Sequence, residues 1–401
     1  MIGKNVSQDH ILGIGLDIGT TVFSTSFHAI IVIFISLFVS SQSLAQNTDT
    51  LSSSGEGILI SLPLGLEAND YYIPEDNPQS ADKIELGRLL FFDKRLSVDN
   101  TVACASCHSP AKAFTDNLPV SLGINNEQGG RSAPTVINRV SETSHFWDGR
   151  AQSLEDQAKG PVTNPLEMGM PDLETASRKI ESIEGYRDWF MRVFNRAVNI
   201  DDIARAIASF ERTVVSGNSR WDQFKVGNSP RALTYAERRG LEIFENKGRC
   251  SQCHTGWNLT DEKYHNIGID WDTSRIDVGR YAVTGETKDI GAFKTPTLRE
   301  IALTAPYMHD GRFSTLRQVV NYYNIDIIAN PYLDPELQRP ILSLLETLEF
   351  YSEINEPDSS GSLTMKNINL TMQEERDLVA FLRTLSGEGW QNITPPDTFP
   401  N

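Results

Sequence analysis

The four cysteines of this chain all fall in two copies of one string, Cys104-Ala105-Ser106-Cys107-His108 and Cys250-Ser251-Gln252-Cys253-His254. Each reads C-x-x-C-H, in which two thiols can bond the vinyl groups of a porphyrin while the adjoining imidazole takes the iron. A zinc site, a redox dithiol and structural disulfides compete with that reading. A four-cysteine zinc ribbon spaces its knuckles by about 15–20 residues, whereas more than a hundred separate these two. A thioredoxin-like dithiol accounts for neither the second copy nor the histidine after each pair. The expectation is two covalent c-type haems, attached through Cys104, Cys107, Cys250 and Cys253, with His108 and His254 as iron ligands.

A length of 401 residues is long for one domain and comfortable for two. The net charge of -17 argues against a nucleic-acid partner, because phosphates need a basic surface. It suits the steering of a basic redox partner, and equally a surface that is simply soluble.

The apolar run Ala29–Val39 followed by Ser43-Leu44-Ala45 has the order of a signal-peptide core and cleavage site. Residues 1–45 therefore read as a signal peptide and the protein as periplasmic, with a mature start near Gln46. Lys4 is set against Asp9 and Asp17, so the leader lacks a clear positive excess; a retained membrane anchor is the alternative, although the run falls short of the ~20 residues of a span. Residues 46–80 form an N-terminal lead-in, flexible over Asn47–Glu56, where Ser, Thr and Gly dominate.

From Ala81 to Phe92 the apolar residues Ile84, Leu86, Leu89, Leu90 and Phe92 recur at helical spacing, and a short loop leads to the first motif. The second motif is approached in the same way. Thr234 and Glu237 make a T-x-x-E capping box, and Leu241, Ile243 and Phe244 form an apolar face before Cys250. A third helical pattern runs from Ile203 to Val215, and a final helix starts at the Thr371–Glu374 box and runs to Gly387. The expected fold is mainly α: two cytochrome c-like haem domains, 81–220 and 221–401, joined near Ser216–Arg220, with the active centre between and beside them. Tyr351–Asn369 is polar and reads as a surface insertion.

The runs Phe146-Trp147-Asp148-Gly149-Arg150, Gln157-Ala158-Lys159-Gly160-Pro161, Lys294-Thr295-Pro296-Thr297-Leu298-Arg299 and Ala305-Pro306-Tyr307-Met308-His309-Asp310-Gly311 resemble the bacterial diheme cytochrome c peroxidase family, which includes MauG-type enzymes. The resemblance extends in order from about Ala81 to Leu385. It implies a peroxide-reactive haem held by His108 and an electron-accepting haem held by His254. It also implies Gln157 and Glu167 as distal-pocket residues and Trp147 as an electron relay between the haems. Cleaving O–O requires a proton to move from the inner to the outer oxygen, which a carboxylate can do as base and then acid. Read from the residues alone, Glu167 is one carboxylate among many and Trp147 a packed aromatic.

Two positions depart from the conventional peroxidases of that family. Sixteen residues beyond His108, where they carry a histidine that caps the first haem, stands Ile124, which cannot ligate iron; the expectation is an open or water-bound first haem, with His145 as the alternative ligand. At the sixth position of the second haem the resemblance puts Tyr323 in place of methionine, as in MauG-type enzymes, with Tyr322 adjacent and Met308 as the alternative. A phenolate stabilises ferric iron, so Tyr323 should lower that haem's potential. Met168 and Met170 read as packing residues, and His265 and His309 as propionate partners or loop caps.

The family also holds calcium at its domain interface. Thr304 and Pro306 match two of the positions, and Ser132 stands where asparagine is usual, a change that an oxygen-ligated cation tolerates. The leading expectation is reduction of hydrogen peroxide to water with electrons from a small cytochrome c or cupredoxin. A MauG-type oxidase acting on a protein or organic substrate is second, and an electron-transfer cytochrome third. Family members are often dimers, so the resemblance carries a homodimer as well.

Overall fold

The computed structural model describes residues 48–51, 58–337 and 368–401; the expected signal peptide and nearly all of the expected insertion lie outside them. The helices are α1 (Ala81–Phe92), α2 (Cys104–Cys107), α3 (Leu154–Thr163), α4 (Leu173–Glu181), α5 (Glu184–Phe194) and α6 (Ile200–Glu211), then α7 (Arg220–Lys225), α8 (Tyr235–Glu245), α9 (Tyr281–Thr284), α10 (Leu316–Asn321) and α11 (Met372–Leu382). Two small antiparallel sheets accompany them: β1 (Thr48–Leu51) with β2 (Ile58–Ser61), and β3 (Tyr264–His265) with β4 (Phe293–Lys294). The first pair lies partly in the stretch expected to be a flexible lead-in. Its backbone register pairs Thr48 with Ser61 and Leu51 with Ile58.

The helix starts follow side-chain chemistry. Thr234 and Glu237 exchange hydrogen bonds with each other's backbone amides at α8, and Thr371 and Glu374 do the same at α11. The pattern read to Val215 stops as helix at Glu211; Val214 and Val215 are buried beyond it in the link to α7.

One helix crossing occurs twice, and it is what sets both sites. Gly87 of α1 lies against the Ala206 carbonyl of α6, where a Cβ would come within 1.8 Å of the oxygen; Gly240 of α8 lies against the Asp377 carbonyl of α11, where the distance would be 2.0 Å. Four residues further along each helix, Phe91 meets Phe210 at 5.1 Å and Phe244 meets Phe381 at 5.2 Å, both with the rings at 58°. Only glycine permits so close an approach of backbones, and the phenylalanines fill the space beside it. Each crossing anchors its own apolar core. The first gathers Leu86, Phe114, Ile137, Tyr186, Phe190 and Ile207; the second gathers Leu241, Leu298, Leu316, Leu378 and Leu385. From Gln46 to Asn401 these cores belong to one compact unit. The tail after Leu385 leaves the second core, and Trp390, Ile393 and Phe399 pack against the first.

Candidate active site

Each C-x-x-C-H string opens on a cavity. One, of about 420 Å³, is lined by Cys107 and His108 together with Trp147, Gln157 and Glu167. The other, of about 260 Å³, is lined by Cys250, Cys253 and His254 with Met308 and Tyr323. Cys104 packs at the edge of the first core, and all four thiols are free of disulfides.

The two histidines are oriented alike. Nδ1 of His108 lies 3.2 Å from the Phe114 carbonyl, and Nδ1 of His254 lies 3.0 Å from the Leu259 carbonyl. A carbonyl only accepts, so Nδ1 carries the proton and Nε2 keeps its lone pair for the cavity, as metal-ligating imidazoles require. Burial pushes both imidazoles below their ordinary pKa, against the opposing effect of those carbonyls. Two thiols and a neutral imidazole facing a cavity, walled in the second case by Leu298, Leu316, Val320 and Leu382, fit a covalently attached haem in both places.

Around the first cavity, Ser153 caps α3 by accepting from the Asp156 amide, which fixes the helix that carries Gln157. The Gln157 side chain has no hydrogen-bond partner among the described residues and faces the cavity. The turn after Pro161 centres on Asn164. Its carbonyl accepts from the amides of Glu167 and Gly169, and its side-chain amide donates to Glu167 Oε1 at 2.6 Å. Burial raises the Glu167 pKa, opposed by Arg150 and by the Asn164 hydrogen bond.

Ile124 is buried, its amide donates to the Glu167 carbonyl at 2.9 Å, and its Cδ1 lies where a Cβ on Gly169 would meet it at 2.2 Å. Its side chain thus fills the first core beside Met168 and Met170, which pack there as expected, and it is absent from the cavity lining. His145 does stand on that wall, and burial lowers its pKa to about 4.

At the second cavity α10 continues into a π-helical turn, Tyr322–Asp326. Tyr322 is spent on a 2.7 Å bond to the Ile267 carbonyl, whereas Tyr323 lines the cavity with no partner for its hydroxyl among the described residues. Burial pushes the Tyr323 phenol well above its ordinary pKa, an arrangement that a cation at the hydroxyl would reverse. Ser132, Thr304 and Pro306 all lie along this cavity.

The cavities share a wall that includes Ser132, Pro134, Arg139, Trp147, Lys294 and Pro296. Trp147 is held on it by its indole N–H, 2.9 Å from the Ser132 carbonyl, and by the Lys294 amide, which donates to the Trp147 carbonyl at 2.8 Å. The Ser132 amide donates in turn to the His309 carbonyl, and the His309 ring stacks on Phe293 at 3.6 Å and bonds Asp270 at 2.9 Å. His265 sits between Asp334 and Asp261 at 2.6 and 2.9 Å; against burial, Asp334, the Cys253 thiol and Asp261 carry its pKa up to about 11. Sequence reasoning missed Arg139, Lys294 and Asn164. Lys294 was inside a quoted run, but its burial between Glu142 and Glu262 shows only in three dimensions. Glu211, buried on the first cavity's wall with no partner for Oε2 among the described residues, left no sequence signal.

A mainly helical protein with a repeated helix crossing and two C-x-x-C-H cavities sharing a wall is, in class, a di-haem cytochrome. Residues 81–230 match the family described as di-haem cytochrome c peroxidase. The cytochrome c551 peroxidase of Nitrosomonas europaea is 40% identical over 274 residues, 68% of this chain and 81% of that protein. The methylamine utilization protein MauG of Methylorubrum extorquens is 34% identical over 317 residues, 79% of this chain and 81% of that one. Among solved structures, a MauG-like protein associated with microbial copper homeostasis superposes with a TM-score of 0.67 at 32% identity, covering 82% of this chain and 96% of that one. The chain belongs to the di-haem cytochrome c peroxidase family, whose members here include both peroxidases and MauG proteins.

Proposed function

We propose that the protein is a periplasmic diheme peroxidase that reduces hydrogen peroxide to water with electrons from a small cytochrome c or cupredoxin. One observation carries the reading: Glu167 and Gln157 share a cavity with His108, while Ile124, at the capping position, is turned into the core. Haem bound through each C-x-x-C-H string supplies reversible electron transfer and, where a coordination position is open, a place for peroxide. Glu167, positioned by Asn164, accepts the proton of the inner peroxide oxygen and returns it to the outer one, which leaves as water. Gln157 holds the outer oxygen through its amide without competing for that proton. Trp147, on the shared wall, is the route for electrons between the two halves. In the same reading residues 81–220 hold the peroxide-reactive centre and 221–401 the electron-accepting one, and Ser132, Thr304 and Pro306 would offer oxygens to calcium.

A second reading has an observation of its own. Tyr323 faces the second cavity with no partner for its hydroxyl among the described residues, as a MauG-type oxidase would require if it withdrew electrons from a protein or organic substrate. The test is peroxide consumption by the holoprotein with a reduced small cytochrome c. Steady oxidation of two donor molecules per peroxide supports the peroxidase. A protein that reacts with peroxide but leaves the donor reduced refutes it and favours the oxidase.

A further inference from the structure

Beyond its last long helix the chain turns back to the first core. The carbonyls of Thr394, Pro400 and Asn401 accept hydrogen bonds from Arg88, Arg95 and the Gly185 amide, and Trp390 is buried among first-core residues. Its indole N–H donates to Glu300 Oε1 at 3.2 Å. That oxygen, on a wholly buried side chain, also receives the Ser216 hydroxyl at 2.5 Å and the Gly387 amide at 2.8 Å. One carboxylate thus fastens the tail, the link between the repeats and the Lys294–Arg299 run to each other, and in doing so fixes where the Trp390 ring stands.

The ring stands edge-on to Phe114, with centroids 6.3 Å apart and planes at 76°. Phe114 is fully buried, touches Phe91 from another side at 6.2 Å, and has φ +58°, a left-handed backbone conformation that a bulky residue adopts only under constraint. That conformation has a use, because the Phe114 carbonyl is the acceptor for His108 Nδ1. The counterpart at the other cavity, Leu259, also has a positive φ of +53° and accepts from His254, but it belongs to the second core, among whose members Trp390 does not stand. Trp390 therefore bears on the support of the first ligand and not on that of the second.

We propose that Trp390 is a positioning residue for His108: it holds Phe114 in the conformation that aims its carbonyl at Nδ1, and so sets the basicity of the imidazole. A stronger Nδ1–H···O bond makes the ring a better donor to iron and favours the ferric state; loosening Phe114 does the reverse. The inference rests on reading His108 as the iron ligand of the first haem.

The test uses full-length holoprotein, wild type, Trp390→Ala and Trp390→Leu, with resonance Raman of the reduced state and potentiometric titration of both haems. The expected result is a lower Fe–His stretching frequency and a higher reduction potential at the first haem, with the second haem unmoved. Trp390→Leu keeps apolar bulk, so it serves if the alanine variant does not accumulate, and its first haem should shift in the same direction. An unchanged first haem in either folded variant overturns the proposal, as does an equal shift of both haems, which would mark general loosening. If His108→Ala leaves the wild-type Fe–His band intact, the ligand assignment itself falls, an outcome that the Trp390 variants cannot mimic.

Discussion

Replacing Glu167 by glutamine separates proton transfer from packing. The carboxyl accepts one side-chain hydrogen bond, from Asn164 at 2.6 Å, and glutamine can keep it through its own carbonyl oxygen. The backbone bonds that hold this turn, Glu167 amide to Asn164 carbonyl at 3.0 Å and Ile124 amide to Glu167 carbonyl at 2.9 Å, are indifferent to the side chain. Stability should therefore not fall, and because burial disfavours the charged carboxyl the neutral amide should, if anything, raise the melting temperature slightly at pH above the Glu167 pKa. The proton shuttle is lost altogether. General acid–base catalysis contributes roughly 10²–10⁴-fold, so the barrier to peroxide cleavage should rise by about 3–5 kcal/mol. The base must be ionised to act, so the wild-type rate falls as pH drops through the Glu167 pKa, which burial raises above its ordinary value. Asn164 opposes that rise, so Asn164→Ala should move the acid limb to still higher pH. The assay is stopped-flow reaction with peroxide across pH, with thermal melts alongside. A Glu167→Gln protein that reacts at the wild-type rate would refute the role, as would an Asn164→Ala limb displaced toward acid.

Other outcomes follow from single observations. Tyr323→Met should raise the reduction potential of the second haem, read by spectroelectrochemistry, because a thioether favours ferrous iron more than a phenolate does. Arg299→Met should cost about 3–5 kcal/mol in a denaturant titration, since it strands Asp222, whose carboxylate meets that guanidinium at 2.5 and 2.9 Å in a fully buried pair. Gly240→Ala should destabilise by about 1–3 kcal/mol or more in the same titration, because its Cβ would stand 2.0 Å from the Asp377 carbonyl oxygen. Burial carries the Glu211 pKa from 4.5 up to about 8, so between those values the folded protein holds a proton that the unfolded chain has released. That part of the stability is full below the lower value and is lost as pH rises through the upper one. Glu211→Gln should accordingly raise the melting temperature more at pH 8 than at pH 5.

Local signals carried much of the fold. Capping boxes at Thr234 and Thr371 start α8 and α11 where the sequence put them, and α1 spans the expected Ala81–Phe92. The repeated crossing was legible only as helix, loop and motif. That Gly87 and Gly240 are the contact points depends on partners more than a hundred residues away, which periodicity cannot identify. The pairing of Thr48–Leu51 was missed because composition weighs polar residues without asking which strand they could join. At the site, residue types with a strong intrinsic chemistry were visible. The supports were not, because Asn164, Lys294, Glu300 and Trp390 take their roles from burial and from partners, and an asparagine or tryptophan alone announces neither.

The most direct test of the central claim is electron paramagnetic resonance of the fully oxidised holoprotein before and after stoichiometric peroxide. With Ile124 packed in the core, the first haem should give a high-spin ferric signal that peroxide abolishes. Only low-spin signals, unchanged by peroxide, would mean that a protein ligand such as His145 closes the iron at the first cavity, and the peroxide-reactive assignment would fall.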